Sequence, residues 1–374
     1  MDAVANPLAT LVVWGGFGLA FIFGAVANKT NFCTMGALSD IVNMGHWGRM
    51  RMWLLAIAVA MLGAGALSTT GQVDLSKTIF ERPTLAWLSL LIGGLCFGIG
   101  MTLSGGCANK NLVRVGGGSV RSMVVLVFLA IASYMTLKGL FGQWRASWLD
   151  PVALNLAQWG WKDQSLATAL ARLSGLAPKT ALLATFSLLV LALVVFVFKD
   201  KRFRSNPTQV AGAVIIGALV VAGWYVSGHL GFGENPATLE DGYFATNSRT
   251  LESFSFVGPL AYGLELLLLW TDKSLHLTFG IASVLGVVLG SAAYALAARQ
   301  FRWEGFASLT DLRNQLVGAV LMGFSGVTAL GCTIGQGISG VSTLAIGSFI
   351  ALAGIIAGSV GTLKYTLWRE ERAG

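Results

Sequence analysis

Charge is scarce in this sequence. Asp, Glu, Lys and Arg make up 11% of its 374 residues, where a soluble domain carries about a quarter, so a water-facing surface wrapped around globular cores is excluded. Histidine occurs three times and cysteine four times. Cys33, Cys96, Cys107 and Cys332 form no close C-x-x-C pair, which argues against a zinc or iron–sulfur site. No metal or cofactor is expected. The chain lacks the G-x-x-x-x-G-K-[ST] loop that cradles nucleotide phosphates, which argues against direct drive by ATP. Residues 1–11 carry no basic stretch ahead of the first apolar run, so that run reads as a retained span and not as a cleaved signal. Strands that cross a bilayer alternate in polarity, and these apolar segments do not, which argues against a barrel.

What is present points one way. Hydrophobic residues make up 55% of the chain and mean hydropathy is +0.71. Runs such as 181–198 and 275–298 approach the roughly 20 apolar residues that cross a bilayer as a helix. The fold class expected is an all-α integral membrane protein of about nine or ten transmembrane helices plus short re-entrant half-helices, with 1–374 forming a single transmembrane transport domain. The 48 glycines suit helices packed closely in lipid. Net charge is +8, but the basic residues sit at span ends, so positive-inside placement explains them and nucleic acid is not expected as a partner. The cluster Lys199-Asp-Lys-Arg-Phe-Arg204 is the firmest cytoplasmic loop. The last span, 341–363, ends at Lys364 and Arg369, which makes the C-terminus cytoplasmic. Residues 138–179 are tryptophan-rich and read as an interfacial helix pair against membrane lipid.

A short glycine–cysteine stretch occurs twice, as Gly98-Ile-Gly-Met-Thr-Leu-Ser-Gly-Gly-Cys107 and as Gly323-Phe-Ser-Gly-Val-Thr-Ala-Leu-Gly-Cys332. Shifting the chain by 225 positions lays Gly106 on Gly331 and Cys107 on Cys332. Counting crossings makes the span before Cys107 run inward and the span before Cys332 run outward, so the repeat is inverted. Repeat 1 covers about 9–140 and repeat 2 about 207–363, joined by an interfacial segment and a span over 141–206. Paired broken helices of this kind place a site near the midplane, where free N–H groups and positive dipole ends favour an anion.

Cys33 stands at a third break, where Asn28, Thr30 and Asn31 are candidate caps for a short new helix. Cys33, Gly36 or Ala37, and Asp40 would share a face of it. A thiol away from water is a weak donor, suited to holding a soft anion without trapping it. The plainer alternative is that these cysteines are small packing residues, the reading preferred for Cys96. Lys29, Lys110 and Arg114 are candidates for an anion funnel, Lys110 and Arg114 equally for snorkelling anchors. Asp40 reads as a structural cap or partner, and Glu265 as packing or interfacial. Matching the halves puts the counterpart of Cys33 near 225–228 or at Gly258, neither a thiol.

Asn31-Phe-Cys33 with Gly36 and Asp40, Ser104-Gly105-Gly106-Cys107 followed by Arg114-Val-Gly116, and Leu330-Gly331-Cys332-Thr333-Ile-Gly335-Gln-Gly337 resemble the three cysteine motifs of the YeeE/YedE sulfur-transport family. The resemblance covers nearly the whole chain. It implies an hourglass-shaped protein of the bacterial inner membrane that takes up thiosulfate or a related sulfur anion. The relay it implies uses Cys33, Cys107 and Cys332, with Gly105, Gly106, Gly331, Thr333 and Gly335 in the same motifs. It also implies a small cytoplasmic TusA-like sulfur carrier; no such domain follows Lys364, which leaves a separate partner. Lys29-Thr30-Asn31 stands where familiar members carry arginines, and Gly116-Gly117-Gly118 where they carry an acid. Sulfite, sulfide, a selenium analogue and polysulfide therefore stay open beside thiosulfate. No enzymatic activity is expected. The competing classes are a membrane sensor or scaffold subunit for sulfur anions that binds such a carrier, and a thiol-exchange redox enzyme.

Overall fold

Helices carry the chain from end to end in the computed structural model, which describes residues 7–234, 239–306 and 308–373. They are α1 (Pro7–Thr30), α2 (Thr34–Met44), α3 (Gly48–Thr69), α4 (Trp87–Leu103), α5 (Ala108–Gly116), α6 (Val120–Lys138), α7 (Leu140–Trp144) and α8 (Leu166–Ser174). After them come α9 (Pro178–Phe198), α10 (Lys201–Arg204), α11 (Pro207–Tyr225), α12 (Val257–Leu268), α13 (Phe279–Ala297), α14 (Leu309–Thr328) and α15 (Ile346–Ala373). Strand structure among the described residues is confined to two short antiparallel pairs, Thr84–Leu85 with Leu154–Asn155 and Phe232–Glu234 with Asp241–Tyr243.

Eight helices or helix pairs among the described residues are long and apolar enough to cross a membrane. Two further helices account for the difference from the nine or ten expected. Helix α14 has 20 residues, but Asp311, Arg313, Asn314 and Gln315 in its first turns lower its hydropathy. Helix α12 has 12 residues, too few to cross alone. The first helix runs past the apolar stretch, because the chain stays helical through Asn28, Lys29 and Thr30.

Glycine determines how the helices meet. A Cβ on Gly24 would lie 2.2 Å from the Val287 carbonyl oxygen, and one on Gly290 would lie 1.9 Å from that of Phe21. Helices α1 and α13 therefore cross at backbone contact, a separation that only a residue without a side chain allows. The α4/α15 crossing is alike, with Gly98 against the Ile355 carbonyl oxygen at 2.2 Å and Gly358 against that of Leu95 at 2.1 Å.

Helix α14 runs antiparallel to α4, with Gly93 against Ala329 and Ser325, and Gly100 against Gly318. Ser104, where α4 stops, meets Gly318 and places its hydroxyl 3.7 Å from Met322 Sδ, in the middle of α14. Each of these two helices therefore ends part-way along the other, inside the bundle. The linker between α6 and α9 exposes Trp144, Trp148 and Trp159, as an interfacial segment does. The charged groups expected to be structural are paired: Asp40 accepts from Arg49, and Glu265 from Lys138.

Candidate functional site

The same backbone turn is made three times. At the end of α1, Asn31 takes a left-handed φ of 56°, the Phe32 N–H donates to Ala27 O at 3.0 Å, and Cys33 follows. At the end of α4, Gly105 has φ 66° and the Gly106 N–H donates to Met101 O at 2.9 Å before Cys107. At the end of α14, Leu330 has φ 57° and the Gly331 N–H donates to Gly326 O at 2.8 Å before Cys332. The five-residue-back bond is the Schellman closure of a helix end. Leucine in the left-handed region carries local strain of about 1–3 kcal/mol, which the surrounding packing must hold in place.

Each turn sets a cysteine at the start of the next segment. Cys33 is the N-cap of α2, its sulfur accepting from the Gly36 N–H at 3.4 Å, and the Cys332 sulfur accepts from the Gly335 N–H at 3.5 Å. Cys107 caps α5 through extended backbone, without a side-chain bond. The caps expected of Asn28, Thr30 and Asn31 do not form. Asn28 Nδ2 donates to Ser291 Oγ at 2.8 Å, the Thr30 hydroxyl returns to Val26 O at 2.7 Å, and Asn31 accepts from Lys110 Nζ. Those polar groups lie before the left-handed turn, so the turn carries the chain past them before the new helix begins.

Tertiary packing brings the breaks together. The Cys33 and Cys107 thiols face one another, and the Thr333 hydroxyl stands next to Cys107 from the third break. Cys33, Cys107 and Cys332 are all buried, at 6%, 1% and 0% exposure. Cys96 is half-buried within α4 and apart from the breaks. Lys110 and Arg114, on the first two turns of α5, lie close enough to act on both facing thiols. Arg114 Nη1 also donates to the Gly105 carbonyl at 2.9 Å, fastening α5 to its own break. Lys29 is exposed at the end of α1. The close approaches explain the glycines: a Cβ on Gly106 would press on Lys110 Cγ at 3.1 Å, and one on Gly335 on the Ser255 hydroxyl at 2.6 Å.

Beside Thr333, which the third motif names, three side chains that sequence reasoning passed over belong to the same place: Thr34, Asn109 and Trp53. Thr34 Oγ1, both polar atoms of the Asn109 side chain, Thr333 Oγ1 and Trp53 Nε1 are buried without a hydrogen-bond partner, the Cys107 thiol beside Thr333 excepted. Thr34, Asn109 and Thr333 each lie one or two residues past a break cysteine. Unpartnered buried donors are rare and costly unless something binds them. Their signal was the polarity of short stretches inside apolar chain. Only the three-dimensional contacts separate them from ordinary capping residues.

Ser255 is the other residue passed over. It precedes α12 much as Cys33 precedes α2, and Phe254-Ser255-Phe-Val-Gly258 reads beside Phe32-Cys33-Thr-Met-Gly36. Ser255 thus stands beside 225–228 and Gly258 as a third candidate counterpart of Cys33. Ser255 lines a cavity of about 160 Å³ with Arg145, Tyr262, Leu330 and Gly331, on the side of the Cys332 break away from Lys110 and Arg114. The arrangement thus gathers soft and neutral donors at the three breaks, with a cavity on one side of them.

Comparison with known proteins adds to this. The sequence matches the family described as Sulphur transport over residues 29–361. It is 24% identical to the thiosulfate transporter TsuA of Spirochaeta thermophila, over 96% of this chain and 100% of that protein. It is 27% identical to the thiosulfate transporter TsuA of Escherichia coli, over 93% of this chain and 92% of that one. The probable transporter YedE of Escherichia coli matches at 27% identity over 54% of this chain and 44% of its own length.

Proposed function

This chain belongs to the sulphur transport family, and on that footing we propose that it takes thiosulfate, or a closely related sulfur anion, across the bacterial inner membrane. The observation that carries the proposal is the meeting of glycine–cysteine breaks with unpartnered donors beside them. A thiosulfate dianion needs several donors at once, and none may bind it so firmly that it stays. Helix N-termini supply N–H groups and a positive dipole end, while the thiols supply weak donors matched to the anion's soft terminal sulfur. On this reading the ion passes from the Ser255 cavity to Cys332, then to Cys107 and Cys33, with Gly105, Gly106, Gly331 and Gly335 keeping the path open. Thr333 hands it between the halves. Lys110 and Arg114, with Lys29 further out, draw it toward the basic face.

We take the halves 9–140 and 207–363 to be inverted repeats about this centre. The face holding Lys199, Arg202, Arg204, Arg299 and Arg302 is taken as cytoplasmic, as is the C-terminus. A TusA-like sulfur carrier is proposed as the recipient there. The exposed Tyr365 and Trp368 near the end of α15 offer it an apolar surface. The test is uptake of labelled thiosulfate by full-length protein in liposomes. C107A and C332A should each lower the rate at least ten-fold while C96A leaves it near wild type; an unchanged rate in both break variants would overturn the relay.

A further inference from the structure

Outside the anion path, Thr78 Oγ1, Gln336 Oε1 and Ser348 Oγ are buried without a hydrogen-bond partner, and near them the two oxygens of the buried Glu81 carboxyl have the Thr343 hydroxyl and the Gln164 N–H within reach. Their residues are 1–2% exposed. Four of these oxygens border one turn, residues 340–343. A Cβ on Gly340 would lie 2.3 Å from Ser348 Oγ and 3.0 Å from Gln336 Oε1. The Thr343 hydroxyl donates to the Gly340 carbonyl at 2.8 Å and stands beside the Glu81 carboxyl. Thr78 is one turn back on the loop of Glu81, the Glu81 N–H donating to the Thr78 carbonyl at 3.3 Å. The donors near the Glu81 carboxyl are the neutral Thr343 hydroxyl and Gln164 N–H, and a buried carboxylate without a cationic partner is costly.

The groups facing Glu81 come from the α6–α9 linker and the 340–343 turn. Asp163 is the charged one; it accepts from the Ser165 N–H at 3.1 Å and from the Thr168 hydroxyl at 2.5 Å. Arg82, next in sequence, is exposed. Burial first, and Asp163 second, push the Glu81 carboxyl well above the usual carboxylate range. The cluster also leads to the third break: the Gln336 N–H donates to the Cys332 carbonyl at 2.7 Å, and Gln336 Nε2 donates to the Ala329 carbonyl.

We infer that Glu81 is a proton-binding site coupled to anion transport, its charge state carried to the Cys332 break through Thr343, Gly340 and Gln336. The site lies on the face opposite the basic one. A proton taken from water there adds to the carboxylate and leaves a neutral acid. The neutral acid packs without a counter-ion, whereas the carboxylate repels Asp163 and strains the turn behind Cys332. An anion entering against an inside-negative potential moves uphill, and a proton bound on the same side offsets part of that charge. This inference rests on the transport function proposed above.

Labelled thiosulfate uptake by full-length protein in liposomes, measured against external pH, tests it. The wild-type rate should fall toward ten-fold per pH unit once the pH exceeds the titration of Glu81. E81Q, which keeps the site neutral, should lose that dependence and its response to an imposed proton gradient, while E81D should shift the profile along the pH axis. An E81Q variant with the wild-type pH profile overturns the inference. So does uptake driven by a sodium gradient at constant pH and lost in E81Q, which would make the cluster a sodium site. C107A and C332A in the same assay read the thiol relay separately, so either idea can fail alone.

Discussion

Ser255 shows what one side chain decides in this molecule. It occupies the cysteine-like position at the break before α12 and faces the cavity that leads to Cys332. A hydroxyl there offers a harder donor than a thiol, suited to the oxygen end of an oxyanion. Losing one such neutral hydrogen bond costs about 1 kcal/mol, or roughly a five-fold change in affinity. S255A should therefore raise KM for external thiosulfate about five-fold with a smaller effect on the maximal rate, and S255C should recover part of the loss. An unchanged KM in S255A would remove this residue from the path. The sequence held the clue in Phe254-Ser255-Phe-Val-Gly258, but a search by cysteine could not see it. Asp40 was legible by contrast: an acid beside an anion path has to be neutralised, and Arg49 does so.

At the scale of the helix, what matters is how close two backbones come. Helices α1 and α13 touch at Gly24 and Gly290, and a methyl group at Gly290 would overlap the Phe21 carbonyl oxygen at 1.9 Å. Overpacking a tight site typically costs about 1–3 kcal/mol. G290A should lower the unfolding temperature of the detergent-solubilised protein. G18A, on the same pair of helices but with nothing within 4 Å of the added carbon, should leave it unchanged; equal effects would show that the crossing does not depend on glycine. The abundance of glycine was visible in the composition. Which glycines are crossings and which are turns was not, because a 3.6-residue period says which face a residue is on but not what meets it. Helix ends followed the same rule. The polar run Asn28 to Asn31 looked like a cap, but a left-handed turn at Asn31 moved the cap to Cys33.

For the whole molecule, the proposed sidedness rests on charge. One face gathers Lys199, Arg202, Arg204, Arg299 and Arg302, while Glu81, Asp150, Asp163, Glu252 and Glu265 lie toward the other. In intact cells a membrane-impermeant thiol reagent should label W159C, in the exposed linker, and should reach E371C, near the end of α15, only after permeabilisation. The reverse pattern would invert the orientation. The sequence by itself determined the membrane class, the glycine–cysteine motifs and the positions of the breaks, because hydropathy, residue type and turn chemistry are local properties. Tertiary structure alone decided that Cys33 faces Cys107, that Thr333 reaches across from the other half, that Ser255 opens onto the cavity and that Glu81 is buried beside Thr343. Those contacts join residues far apart in the chain, Cys107 to Thr333 and Glu81 to Thr343. They depend on how closely glycine lets the helices pack, and no local pattern encodes that distance.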